Sequence, residues 1–158
     1  MIVVSDTSAL CYLILIGEIE ILPQLFGQIL IPRAVAQELN AEGAPMTLIH
    51  WIVQPPDWLE IRLVTSVADS RLLELHQGER EAILLAEEIG ADLVILDEKA
   101  ARNVAKERGL NLTGLLGILE MATIQKLIDL PTVVERLQNT SFRASPSFLK
   151  SLLDRHSS

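Results

Sequence analysis

Met1-Ile2-Val3-Val4-Ser5-Asp6-Thr7-Ser8-Ala9-Leu10 is the stretch whose reading decides the fold. Ile2, Val3 and Val4 set three β-branched side chains in a row with no polar alternation. That is the pattern of a short strand buried on both faces, as in a parallel sheet. Asp6 stands at the carboxyl end of that strand. Asp, Thr and Ser accept the first free N–H groups of a helix, and a new apolar run opens at Ala9, so the strand passes straight into a helix. Ligands of open α/β sheets bind just beyond the carboxyl ends of the strands. Asp6 therefore carries two readings on its own stretch, a functional carboxylate or a helix N-cap.

The same architecture returns later in the chain. Leu93-Val94-Ile95-Leu96 is a second uninterrupted apolar run, and it leads directly into Asp97-Glu98. Between these two strands the pattern alternates. Helices are expected over Ala9–Ile16 and Glu18–Phe26, a strand over Gln28–Ile31, and a helix over Ala34–Asn40 entered through Pro32. Met46–Val53 reads as a short helix and Gln54-Pro55-Pro56-Asp57 as a turn. Trp58–Val64 alternates apolar and polar residues, the period of a half-buried strand at a sheet edge. Val67–His76 reads as helical. Gly78-Glu79-Arg80-Glu81 opens a strong helix through Ala82–Ile89 that Gly90 ends. After Asp97, a helix over Lys99–Arg108, a short strand Leu110–Leu112 and an apolar helix ending near Ile124 follow. Pro131–Leu137 and Ser147–Arg155 are further helices. Strands alternating with helices imply a parallel sheet covered on both faces. One domain over residues 1–140, with a tail and short helix over 141–158, is the expected division.

Composition narrows the function classes. The chain has 158 residues, 49% of them hydrophobic and only 4% aromatic, so the core is aliphatic. No apolar run approaches the roughly 20 residues that a membrane-spanning helix needs, and the first residues lack the basic segment of a signal peptide. The single cysteine, Cys11, cannot form an internal disulfide and reads as a buried, inert thiol, which fits a cytoplasmic protein. A net charge of −8 argues against a general nucleic-acid coat. It leaves room for an enzyme that gathers its acids around metal ions and presents a local basic patch. Lys99, Arg102, Lys106 and Arg108 share one helix and offer such a face near Asp97, or simply a solvated one.

Four acids, drawn from five candidates, carry the chemistry. Asp6 and Asp97 each follow a buried strand. Glu38 lies in the helix after the second strand, and Glu79 and Glu81 lie in the first turn of the helix opened by Gly78. A parallel sheet brings such positions together at its carboxyl edge. Carboxylates that converge there repel one another unless a proton or a divalent cation neutralises them, and carboxylates with water suit Mg²⁺ or Mn²⁺. Asp6, Glu38, Asp97 and one of Glu79 or Glu81 are expected to line one pocket. His50, His76 and His156 are isolated and form no zinc-like spacing.

These residues resemble the PIN-domain family, and most closely its short members related to VapC toxins of prokaryotic toxin–antitoxin pairs. The resemblance rests on Val4-Ser5-Asp6-Thr7-Ser8-Ala9-Leu10, Ile31-Pro32-Arg33-Ala34-Val35-Ala36-Gln37-Glu38-Leu39, Gly78-Glu79-Arg80-Glu81-Ala82-Ile83-Leu84-Leu85-Ala86 and Ala91-Asp92-Leu93-Val94-Ile95-Leu96-Asp97-Glu98, in family order. It implies a three-layer α/β/α sandwich around a central parallel sheet, a metal-dependent endoribonuclease acting on single-stranded RNA, and a homodimer. Asp6 matches the first acid and Glu38 the second. Glu81 matches the third, with Glu79 the nearby alternative, and Asp97 matches the fourth. Thr7 or Ser8 matches the small hydroxyl that helps hold the metal, Mg²⁺ or Mn²⁺, or its water. A partner antitoxin, where present, is implied to insert a basic or apolar segment towards the acids. The chain departs from the pattern in having Glu at the third position and Ala100 and Ala101 where a further acid often stands. The rival readings are a PIN-like docking module with a degenerate site and another metal-dependent phosphotransfer enzyme on a similar sheet.

Overall fold

Five short parallel strands form one sheet in the order β3-β2-β1-β4-β5: β1 (Val3–Ser5), β2 (Ile29–Pro32), β3 (Leu59–Arg62), β4 (Leu93–Ile95) and β5 (Leu112–Thr113). The computed structural model describes residues 1–157, and the statements below concern those residues. The first strand is central. Val3 pairs with Ile29 on one side and with Leu93 on the other. The chain builds outward through β2 and β3, then returns to the far side of β1 with β4. The connections that follow the parallel strands β1 and β4 thus run to opposite sides of the sheet, which makes a crevice at their carboxyl ends. Asp6 and Asp97 follow these two strands.

The pleat explains the layers. Alternate side chains point to opposite faces. Val3, Ile29, Ile31 and Ile95 enter one core and Val4, Leu30 and Val94 the other. The first core is covered by α1 (Thr7–Leu15), α2 (Ile21–Phe26), α3 (Arg33–Leu39), α4 (Met46–Val53), α8 (Leu115–Ile124), α9 (Leu130–Gln138) and α10 (Pro146–Arg155). The second is covered by α5 (Ser70–Leu73), α6 (Gln77–Ile89) and α7 (Lys99–Glu107). This is the expected three-layer α/β/α sandwich. Leu149 and Leu152 of α10 are buried and belong to the first core, where α10 packs against α9. Cys11 is half-buried against that core rather than fully enclosed, and burial pushes its thiol up, away from the reactive thiolate.

Several elements are shorter or displaced, α2 starting at Ile21 rather than Glu18, β3 spanning Leu59–Arg62 rather than Trp58–Val64 and β5 spanning Leu112–Thr113 rather than Leu110–Leu112, and two further ones differ for local reasons. The helix expected over Val67–His76 is the single turn α5. The Glu88 carboxylate accepts the backbone N–H groups and hydroxyls of both Thr65 and Ser66, which holds the preceding loop extended. Asp69 then caps the turn by accepting from the Leu72 N–H at 3.1 Å. The helix expected to open at Gly78 begins at Gln77, so Glu79 rather than Glu81 stands at its third position.

Candidate active site

The backbone first brings the strand ends together. The Asp6 N–H donates to the Ile95 carbonyl at 3.1 Å, which fixes the end of β1 against the end of β4. Asp6 is 1% exposed, and neither carboxylate oxygen has a hydrogen-bond partner. It occupies the position before α1 without a side-chain capping bond. The cap reading therefore does not account for its burial. Desolvation holds its pKa well above the ordinary carboxylate range, and the nearby Asp97 and Glu79 charges push it the same way. The amides of Ala9 and Asp97 face it and pull back in part, but neither closes a hydrogen bond.

Glu38 reaches the same crevice from α3. One of its oxygens accepts from the Thr7 hydroxyl and the other from the Gly78 N–H at 2.9 Å. Both contacts are set by sequence: Thr7 follows the strand-end acid, and Gly78 lets a helix N-terminus approach the carboxylate. A Cβ at Gly78 would stand 2.8 Å from the Glu38 carboxyl carbon, so any larger residue there displaces the Glu38 carboxylate. Gly78→Ala should keep the fold, since alanine favours the helix by about 1 kcal/mol and the Glu38 side chain can swing away. The same swing should weaken Mn²⁺ binding by about tenfold. Thermal melting with and without Mn²⁺ checks both: an unchanged melting point without metal and a reduced rise with it.

Glu79 sits at the third position of α6, where its Oε1 accepts from the His76 N–H at 3.2 Å. Its other oxygen is buried without a partner, and burial raises its pKa. Asp97 holds one oxygen against the Leu115 N–H at 2.7 Å, at the start of α8, while its other oxygen is also buried and unpartnered. Its pKa is raised by burial, against the Leu115 N–H and the Arg102 guanidinium. Gly114 makes that approach possible, because a Cβ there would lie 2.8 Å from Asp97 Oδ1 and 2.6 Å from Arg102 Nη1.

Asp6, Thr7, Ser8, Glu38 and Glu79 line one cleft of about 340 Å³, together with His76 and Glu98. Asp97 borders it from the adjoining cleft, where Ser8 and Glu98 are shared walls. The structure thus places Asp6, Glu38 and Glu79 in one cleft and Asp97 at its border. Glu81 points elsewhere: its carboxylate accepts from Gln77 Nε2 at 3.0 Å and faces a separate cleft with Val64, Ser66 and Arg80. Of the two alternatives for the third acid, Glu79 lines the acidic cleft and Glu81 does not, because the helix starts at Gln77. Read from the sequence, His76 stands isolated and Glu98 has no role. Both occupy the residues just before a helix, where a cleft at the sheet edge is built, and that position was the available signal. The expected basic face of α7 is also narrower. Arg108 is committed to Glu87 and Asp69, at 2.8 and 2.7 Å, leaving Arg102 as the cation beside Asp97.

The donor set fits a hard divalent cation. Four carboxylate oxygens, on Asp6, Glu79 and Asp97, are buried without donors. A charged oxygen in that state costs more than the roughly 1–3 kcal/mol of an unsatisfied neutral group, and a proton or an oxygen-liking cation removes the cost. No three His, Cys, Asp or Glu side chains among the described residues stand close enough to form a closed metal site as they are arranged. The chemistry of the ligands matches Mg²⁺ or Mn²⁺, while their spacing is wider than a coordination shell.

No curated protein and no solved structure matches the chain. A family profile described as a PIN domain matches residues 2–158. That range takes in both strand-end acids, Glu38 and Glu79, and the helices α8 to α10 beyond them. Covered over nearly its whole length, the chain belongs to the PIN-domain family.

Proposed function

We propose that this protein is a metal-dependent endoribonuclease that cleaves single-stranded RNA, and that it serves as the VapC-like toxin of a toxin–antitoxin pair in the cytoplasm. Membership of the PIN-domain family implies a nuclease-type activity in general. The observation that carries the finer reading is the buried, unpartnered carboxylate oxygens of Asp6, Glu79 and Asp97 at the crevice between β1 and β4. Asp6, Glu79 and Asp97 would hold Mg²⁺ or Mn²⁺, with Glu38 as a further ligand and Thr7 and Ser8 beside it. When bound, such an ion makes a water nucleophilic near neutral pH and stabilises charge on a phosphodiester.

The chain's own groups do the rest. The Thr7 hydroxyl and the Gly78 N–H orient Glu38. The Leu115 N–H fixes Asp97, and the His76 N–H fixes Glu79. Burial of Asp6 keeps bulk water from screening its charge. Arg102 lies beside Asp97 and lines the cleft on its far side, where it would meet a substrate phosphate. A docking module without activity has no use for three crowded acids whose burial opposes their charge. A homodimer is part of the same proposal. Ile61, Leu63, Val67 and Leu73 are exposed apolar residues on the β3 and α5 side, a face that a second copy would cover.

The pH dependence has a defined sign. A cation binds the ionised carboxylates, and the pKa values of Asp6, Glu79 and Asp97 are all raised. Mn²⁺ binding should therefore release protons, and affinity should fall as pH is lowered, beginning above the ordinary carboxylate range. Calorimetric titrations in buffers of different ionisation enthalpy measure the released protons; metal affinity independent of pH would contradict the assignment. Activity itself is tested by offering purified protein RNA, DNA and a phosphomonoester in Mn²⁺ and after chelation. The expected result is chelator-sensitive cleavage of single-stranded RNA. Turnover of the phosphomonoester alone would favour a different phosphotransfer enzyme.

A further inference from the structure

The acidic cleft is one end of a longer groove. Ser8 and Glu98 wall both the acidic cleft and a neighbouring one of about 300 Å³. Asp97, Phe142 and Arg143 wall that second cleft and a third of about 410 Å³, which Arg102 and Phe148 also line. The far wall is the connection from α9 to α10. It is pinned to α1 by the edge-to-face pair of Tyr12 and Phe142, with ring centroids 5.3 Å apart, and by the Tyr12 and Ser141 hydroxyls at 3.0 Å. The composition of this wall is unusual for the chain. Two of only three phenylalanines stand here, and Phe148 is 49% exposed. Arg143 is exposed, and among the described residues it makes no ion pair. In a protein of net charge −8, two arginines and an open aromatic ring along one groove match the backbone and bases of a single strand.

We infer that this groove is a strand-binding subsite for single-stranded RNA, in which Arg143 and Arg102 hold phosphates flanking the acidic cleft and Phe148 stacks on a base. The inference rests on the nuclease reading for the choice of RNA, but its evidence lies outside the acids. Arg102 already donates one N–H to the Leu96 carbonyl at 3.0 Å, which leaves its remaining donors for a phosphate. The third cleft also carries Asp97, held by the Leu115 N–H, and Glu120, which pairs with Arg155, so Arg102 and Arg143 supply the positive charge that a strand would meet there.

The test is binding of a fluorescent ten-nucleotide RNA by anisotropy, in chelator so that nothing is cleaved, over a range of salt. Phe148→Ala should weaken binding by about 5- to 100-fold with no change in salt dependence. Arg143→Ala should weaken it and flatten the slope of log affinity against log salt by roughly 0.7. Lys150→Ala, which removes a charge from α10 outside the groove, should bind as wild type. All three sites are exposed, so folding is expected to be retained, and melting curves check it. Wild-type affinity in both Arg143→Ala and Phe148→Ala overturns the subsite, and if the protein still cleaves RNA in Mn²⁺ the nuclease reading stands. Weakening in Arg143→Ala alone identifies a general polyanion site and overturns the stacking platform. Groove-dependent binding in a protein that never cleaves RNA supports the subsite and overturns the nuclease reading instead.

Discussion

Asp6→Asn should abolish RNA cleavage while making the metal-free protein more stable. The substitution keeps the volume of the side chain and removes its charge. Both Asp6 oxygens are buried without partners, and Asp97 and Glu79 add like charge around them. Loss of one ligand charge should reduce activity by about 100-fold or more, equivalent to roughly 3 kcal/mol of transition-state stabilisation. The stability effect has the opposite sign. A carboxyl whose folded pKa is raised opposes folding when ionised. The folded state keeps its full stability below the unfolded pKa and loses it as pH rises from there towards the raised value. Asparagine carries no such charge, so the gain should be largest at neutral pH and vanish in acid. Each kcal/mol gained should raise the melting point by about 2–4 °C in a chain of this size. Cleavage assays and melting curves at pH 7 and pH 4 measure both. A folded Asp6→Asn protein that cleaves like wild type would return Asp6 to the role of a helix cap, for which asparagine serves about as well.

The second large effect separates two glutamates two residues apart. Glu79→Gln should reduce cleavage by about 100-fold, on the same ligand-charge argument, because Glu79 brings a buried, unpartnered oxygen to the acidic cleft. Its glutamine can still accept from the His76 N–H, so the start of α6 should survive. Glu81→Gln should leave activity within about twofold, the scale of a surface substitution of roughly 0.5 kcal/mol. Its partner is Gln77 and its cleft lies elsewhere. Parallel kinetics on the two variants decide the matter, and a reversed order would return the third acid to Glu81.

The contrast between these residues marks how far the sequence could be read. Asp6 and Asp97 were legible because each ends an unbroken apolar run, and a parallel strand buried on both faces has no polar alternation to confuse it. Glu38 was legible less from pattern than from the family resemblance, since its helix presents several polar residues. The choice between Glu79 and Glu81 turned on where α6 begins. Residues 82–86 are buried all round the helix, so apolar periodicity could not fix the phase. The start at Gln77 follows from tertiary contact, the Gly78 N–H meeting a carboxylate forty positions away. The same limit applies to the α9–α10 connection. Its sequence reads as a loop, and only packing of Phe142 on Tyr12 lays it along the acids.

The assignment of the acids is tested most directly by anomalous diffraction from crystals soaked in Mn²⁺. A peak within coordination distance of Asp6, and of Glu79 or Asp97, is the predicted result, with the same peak lost in Asp6→Asn crystals. A Mn²⁺ peak held by Glu81, or no peak at the crevice in crystals of protein that still cleaves RNA, would contradict it.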